Sequence, residues 1–237
     1  MSQPAVTVEN LRALLKGRSL PVESAERFAG QVFSTGLESL DGILPLRGLP
    51  GGSLIEWLGE AGAGCECLAA YGVTSFVGQG GLWCLIPAEH DFYPYRAAVE
   101  CSPEQCVVIQ TQTGEEAWWA VEQTLRCRGV MTWHWADCVP ERVLRRWQLA
   151  AERGGGLGML FRSHEAQRQS SWADLRLLVT PLTAQTGANR RLRIEVLYCR
   201  GGFGGQSLVL ELNHATGTVH LVSELADSAI VSRAARA

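Results

Sequence analysis

The stretch Ser53-Leu54-Ile55-Glu56-Trp57-Leu58-Gly59-Glu60-Ala61-Gly62-Ala63-Gly64-Cys65-Glu66 runs from a short apolar segment straight into a glycine-rich turn. Residues 65–79 follow with a helical pattern, so the local order is strand, turn, helix. Upstream, Pro45, Gly48, Pro50, Gly51 and Gly52 mark a turn-rich loop. Downstream, apolar strands alternate with amphipathic helices. Strands are predicted at Leu82–Ile86, Cys106–Gln110, Val130–Trp135 and Leu157–Phe161, and helices at Glu115–Cys127 and after Pro140. In the first helix Trp118, Val121 and Leu125 share a face. In the second Val143, Trp147 and Ala150 face inward while Arg142, Arg145, Arg146 and Arg153 do not. Such alternation with short connections argues for an α/β fold, a mostly parallel sheet flanked by helices. After about residue 175 the pattern changes to strands alone, at Leu175–Thr180, Arg191–Cys199, Gln206–Asn213 and Thr218–Val222. These form a C-terminal antiparallel β-meander closing one edge of the sheet.

With 237 residues the chain is long enough to bury one complete α/β core. Its 46% hydrophobic and 19% charged residues exclude a disordered chain. Three parts are expected. Residues 1–30 make an N-terminal helical arm and connector, residues 31–225 the core domain, and residues 226–237 a flexible tail. No apolar run approaches the roughly 20 residues that span a bilayer. Met1-Ser2-Gln3-Pro4 lacks the features of a signal peptide, so a cytoplasmic protein with reduced thiols is expected. The eight cysteines carry no paired C-x₂-C zinc spacing, and no metal is expected. Net charge is −3 but uneven: residues 1–120 carry −8 and residues 121–237 carry +5. The cationic half offers a surface to nucleic acid or an acidic partner, or is a solvated face of an arginine-preferring sequence.

Gly59 to Glu66 matches the spacing of the phosphate-binding pattern G-x-x-x-x-G-K-[ST], with Gly62 inside the loop. The two residues that do the chemistry differ. Cys65 stands where a lysine reaches the β/γ-phosphates, and Glu66 where a hydroxyl holds Mg²⁺. A thiol does not neutralise phosphate. Glu66 falls at a helix N-terminus, where the dipole favours an anion, and is expected to fill in part the place of the phosphate. The single lysine, Lys16, lies some 40 residues upstream and is not expected to substitute. No cofactor is therefore expected; the alternative is retained ATP with Mg²⁺.

Phe33-Ser34-Thr35-Gly36-Leu37-Glu38-Ser39-Leu40-Asp41 resembles the segment before the phosphate loop of RecA-type recombinases. Gly48-Leu49-Pro50-Gly51-Gly52-Ser53-Leu54-Ile55-Glu56 is similar to their lead-in to the first core strand. Pro87-Ala88-Glu89-His90 resembles the end of their second core strand, and Glu89 falls on the glutamate that activates water there. The Mg²⁺-associated aspartate of the family is absent from Val130–Trp135, which ends in Trp133-His134-Trp135; Asp137 lies beyond it. Within that superfamily the chain is most similar to ImuA-type accessory proteins of bacterial translesion DNA synthesis. Leu144 to Glu152 followed by Gly154-Gly155, and Leu192 to Leu197 followed by Arg200-Gly201-Gly202, carry that likeness. In active recombinases the second element bears two basic residues that reach a neighbouring subunit's nucleotide. Arg200 matches one and Tyr198 stands at the other.

The resemblance implies a RecA-like fold and a role in the SOS mutagenesis complex. Expected partners are an ImuB-like Y-family polymerase subunit, an error-prone C-family DNA polymerase and, in some members, RecA itself, with nucleoid association when DNA is damaged. Non-catalytic scaffolding is the favoured reading. A DNA-stimulated ATPase using Glu89 as base and a cell-division inhibitor of the same superfamily are the alternatives. Arg190, Arg191, Arg193 and Arg200, with Arg142, Arg145 and Arg146, are candidates for single-stranded DNA or partner contact. Trp133 and Trp135 are weighed as base-stacking or packing residues. Leu11, Leu14 and Leu15 on the capped N-terminal helix are candidates for a partner contact or for packing on the chain's own core.

Overall fold

A computed structural model describes residues 30–87, 101–182, 189–213 and 218–225. Leu11, Leu14, Leu15, Lys16 and Glu89 lie outside these residues, as do most of the expected arm and the tail.

Eleven strands and four α-helices are present among the described residues. The chain enters through β1 (Val32–Phe33), α1 (Glu38–Ile43) and β2 (Leu49–Pro50). The central strand β3 (Leu54–Leu58) leads to α2 (Cys65–Gly78), β4 (Leu82–Ile86) and β5 (Cys106–Val108). Then follow α3 (Gly114–Leu125), β6 (Val130–Trp135), α4 (Glu141–Gly154) and β7 (Leu157–Arg162). Strands β8 (Leu175–Leu182), β9 (Asn189–Cys199), β10 (Ser207–Asn213) and β11 (Thr218–Leu225) complete the described elements. Strands β3 to β11 form one nine-stranded sheet in the order β11-β10-β9-β8-β3-β7-β6-β4-β5. Pairing is parallel from β8 through β3, β7, β6 and β4 to β5, and antiparallel from β8 to β11. The expected architecture is thus observed.

Each face of the sheet has its own core. Ile55, Trp57, Trp83 and Trp133 pack with α1 and α2 on one face. Leu54, Val130 and Leu160 pack with Val121 and Leu125 of α3 and with Val143, Trp147 and Ala150 of α4 on the other. Trp118, expected in the core, is only partly buried at the edge of this second cluster. Its carbonyl accepts a hydrogen bond from Trp147 Nε1 at 3.0 Å. Strand β5 is shorter than predicted because it is a sheet edge pairing with β4 alone. Ile109, just beyond it, is still buried and donates its N–H to Leu85 O.

The apolar run of β3 contains one acid. Glu56 is fully buried, and Arg162 of β7 and Arg176 of β8 both reach it. Arg162 Nη1 donates to Glu56 Oε1 at 2.9 Å, Arg176 Nε to Oε2 at 2.7 Å, and Ser171 Oγ to Oε1 at 2.8 Å. Arg162 Nη2 also donates to Asp137 O, and Arg176 Nη2 to Ala166 O, both at 2.7 Å. One carboxylate thereby fixes the two strands flanking β3 and the 3₁₀ turn His164–Arg168. Buried charge is tolerable only when paired and hydrogen-bonded in this way.

Two stability outcomes follow. Glu56→Ala leaves the buried Arg162 and the half-buried Arg176 short of their counter-ion and should cost about 3–5 kcal/mol in urea unfolding; a change within about 0.5 kcal/mol would contradict the network's role. His134 is buried, donates Nδ1–H to Ile86 O at 2.8 Å and packs edge-on against Trp147. Burial lowers its pKa below 6.5. The neutral ring is the folded form, so its contribution is complete above pH 6.5 and falls as pH drops below it. His134→Gln should flatten that acid-side slope in melts between pH 5 and pH 7, and an unchanged slope would contradict the assignment.

Candidate functional site

Strand β3 runs into Gly59, whose N–H donates to Arg162 O at 3.1 Å. The buried ion network and the start of the glycine loop thus share a residue. The loop closes with Ala63 N–H donating to Glu60 O at 2.8 Å and passes into α2 at Gly64. Gly64 has φ of 101°, and a Cβ there would lie 3.0 Å from Leu192 Cδ1 of β9. Only glycine satisfies both the left-handed backbone and this close approach. Strand β9 therefore lies against the loop.

The thiol of Cys65 is turned inward. It is 5% exposed, and a Cβ added to Gly59 would stand 2.7 Å from Sγ. Sulfur fills the inside of the loop in place of a chain reaching outward. Burial, reinforced by the Glu66 carboxylate, pushes the thiol pKa up to about 12, with Arg190 acting in the opposite direction. Glu66 sits in the first turn of α2, where the helix dipole favours its charge. The N-cap residue is Gly64, which has no side chain to cap the helix. Glu66 Oε1 accepts from Trp135 Nε1 at 3.2 Å.

The loop, the ends of β6 and β7 and Pro87 line a cavity of about 550 Å³. It lies at the carboxyl ends of parallel strands, where open α/β sheets bind ligands. Trp57, Trp135 and Phe161 supply its apolar wall, and Glu60, Glu66 and Asp137 its acidic groups. Trp135 stacks on Phe161 with centroids 5.1 Å apart. Asp137, beyond β6, spends Oδ1 on the backbone N–H of Ser163. The cationic lining residue, Arg162, is committed to Glu56.

The loop residues Gly59, Gly62, Gly64, Cys65 and Glu66 thus come together with Trp135 and Asp137, and Trp133 is fully buried as packing. The candidate arginines Arg190, Arg191 and Arg193 of β9 and Arg200, the residue after it, do not converge. Arg191 and Arg193 alternate with the buried Leu192 and Ile194, on the opposite sheet face from Arg190, which stands near enough to Cys65 to influence it. Arg191 pairs with Glu211 at 2.7 Å. Arg200, at the far end of the strand, pairs with Asp174 at 2.9 Å. On α4, Arg146 pairs with Glu122 and Arg145 lies over Trp172 at 4.2 Å. Among the described residues no group of three or more His, Cys, Asp or Glu is placed to hold a metal ion, and no helix is long and apolar enough to cross a membrane.

The sequence reading missed Glu56, Arg162 and the Trp135–Glu66 contact. The lone acid in an apolar run was the available signal for the first.

The family model described as the RecA N-terminal domain matches residues 9–138. Protein RecA of Desulforapulum autotrophicum is 34% identical over 118 residues, 48% of this chain and 33% of that protein. Protein RecA of Nostoc sp. is 32% identical over 120 residues, 50% of this chain and 33% of that protein. Protein RecA of Chlorobaculum tepidum is 35% identical over 101 residues, 42% of this chain and 29% of that protein. The chain spans about a third of the length of these relatives. Strand β7, which supplies Phe161 and Arg162 to the cavity, lies beyond the family match.

Alkylation checks the loop geometry. Iodoacetamide at pH 8 should modify the exposed Cys138 first and leave Cys65 and Cys84, both with burial-raised pKa, unmodified until the protein unfolds. Early labelling of Cys65 in mass mapping would mean that its thiol points outward.

Proposed function

From the premise that the chain belongs to the RecA N-terminal domain family, we propose that it is a non-catalytic, ImuA-type accessory protein of SOS-induced mutagenic translesion DNA synthesis. It acts by protein–protein contact, bridging an ImuB-like Y-family polymerase subunit, an error-prone C-family DNA polymerase and RecA.

The observation that carries this reading is the state of the loop. A phosphate cradle works through outward backbone N–H groups, a lysine and a hydroxyl on Mg²⁺. Here the lysine position holds an inward thiol packed on Gly59, and the hydroxyl position holds a carboxylate hydrogen-bonded to Trp135. An incoming triphosphate would meet Glu60, Glu66 and Asp137 with no uncommitted cation among the described lining residues. Like charge in a partly enclosed cavity opposes binding. The fold is thereby kept as a rigid body for partner recognition, and neither ATP nor Mg²⁺ is required. The ImuA-type assignment itself rests on the motifs around residues 144–155 and 192–202.

Co-elution with purified polymerase subunits tests the bridge, and it should be indifferent to ATP. In cells lacking the chromosomal copy, Cys65→Ala and Glu89→Gln should restore damage-induced mutagenesis to the wild-type level. Loss of mutagenesis in Glu89→Gln, with the protein still made, would favour the ATPase reading.

A further inference from the structure

The cavity beside the glycine loop is preformed, and its volume of about 550 Å³ is that of a small-ligand site. Its charge opposes an anion, and the same residues define the opposite ligand. Glu60 and Asp137 are exposed at its rim, and Glu66 is half-buried beside Trp135. Asp137 accepts the Ser163 N–H through Oδ1, and Glu66 accepts the Trp135 indole N–H through Oε1. Asp137 Oδ2, Glu66 Oε2 and both carboxylate oxygens of Glu60 accept nothing from the described residues. None of the three acids forms an ion pair with a described residue.

The cations nearby are accounted for. Glu56 holds Arg162 and Arg176, and Arg190, close enough to act on Cys65, is not a lining residue. The N-terminus of α2 sets about half a positive charge against the acids, less than any one of them carries. The rest of the lining is aromatic: Trp57 and Phe161 are buried, and Trp135 stacks on Phe161 at 5.1 Å with planes 21° apart. Unpaired carboxylates beside aromatic rings in a concave site recognise an organic cation. A guanidinium fits this set better than an ammonium, because its planar fork matches a carboxylate and lies along an aromatic wall.

We propose that this cavity receives an arginine side chain from a partner protein, with the guanidinium paired to Glu66 Oε2 beside the Trp135 indole. Glu60 and Asp137 at the rim steer the basic segment toward the opening. The proposal rests on the reading of the loop as closed to triphosphate, and it gives the chemistry by which this site contacts a partner.

The indole N–H resonance of Trp135 in ¹⁵N-labelled protein, assigned through Trp135→Phe, reports on the cavity. The peptide acetyl-Gly-Gly-Arg-Gly-Gly-amide should shift it saturably, at millimolar concentration or below. Citrulline in place of the arginine keeps the shape without the charge and should weaken binding about tenfold or more. Glu66→Gln, which keeps an oxygen for Trp135, should melt as the wild type does and weaken the arginine peptide by a similar factor. Asp137→Asn should slow association and reduce its salt dependence. An unmoved Trp135, equal binding of the citrulline peptide, wild-type affinity in Glu66→Gln, or shifts confined to another face would each overturn the proposal. So would spermidine binding as tightly as the arginine peptide, which would give the site to a free polyamine. ATP shifting the same resonance at micromolar concentration would remove the underlying reading. A Trp135 indifferent to both ATP and the arginine peptide would remove this proposal and leave that reading standing.

Discussion

The buried carboxylate of Glu56 sets the geometry on which the rest depends. It sits in the central strand β3, with its charge matched by Arg162 and Arg176 from the strands on either side. A one-residue slip of β7 or β8 would turn its arginine to the opposite face and strand a charge in the core. Arg162 then holds the start of the glycine loop through its carbonyl to Gly59 and lends a side-chain nitrogen to the Asp137 carbonyl. The ends of β3, β6 and β7 are thus tied together before any ligand is considered. Hydrophobic packing stabilises both faces of the sheet, while the ion network specifies register.

On that base the loop keeps the shape of a phosphate cradle with different chemistry. Sulfur occupies its interior, an acid lies in the first helical turn and a tryptophan holds that acid. Leu192 of β9 presses on Gly64, so the antiparallel extension is part of the loop's wall. The committed guanidinium of Arg162 is structural, and the three cavity acids give the site the opposite sign from a triphosphate pocket.

Much of the fold was legible because its signals are local. Leu82–Ile86 and Val130–Trp135 are continuous apolar runs between breakers, and both match the observed strands. The glycine spacing placed the loop and the start of α2. The fate of individual polar groups was not legible. Glu56 meets partners 106 and 120 residues away, and Glu66 meets Trp135 at a separation of 69. No window of sequence contains such pairs. These arginines looked like one patch in the chain, but a strand's two-residue period puts Arg190 and Arg191 on opposite faces, and Arg200, just past the end of β9 at Cys199, lies away from both. The likeness to RecA-type proteins came through where glycine, proline and aspartate recur at fixed spacing, and the family match over residues 9–138 covers that region.

The central claim is that this loop has exchanged phosphate binding for internal packing. Isothermal titration of the purified chain with ATP and Mg²⁺ tests it most directly. The account predicts no binding heat up to millimolar nucleotide for the wild-type protein, and heat appearing only in Cys65→Lys/Glu66→Thr. A micromolar site in the wild-type chain would contradict it.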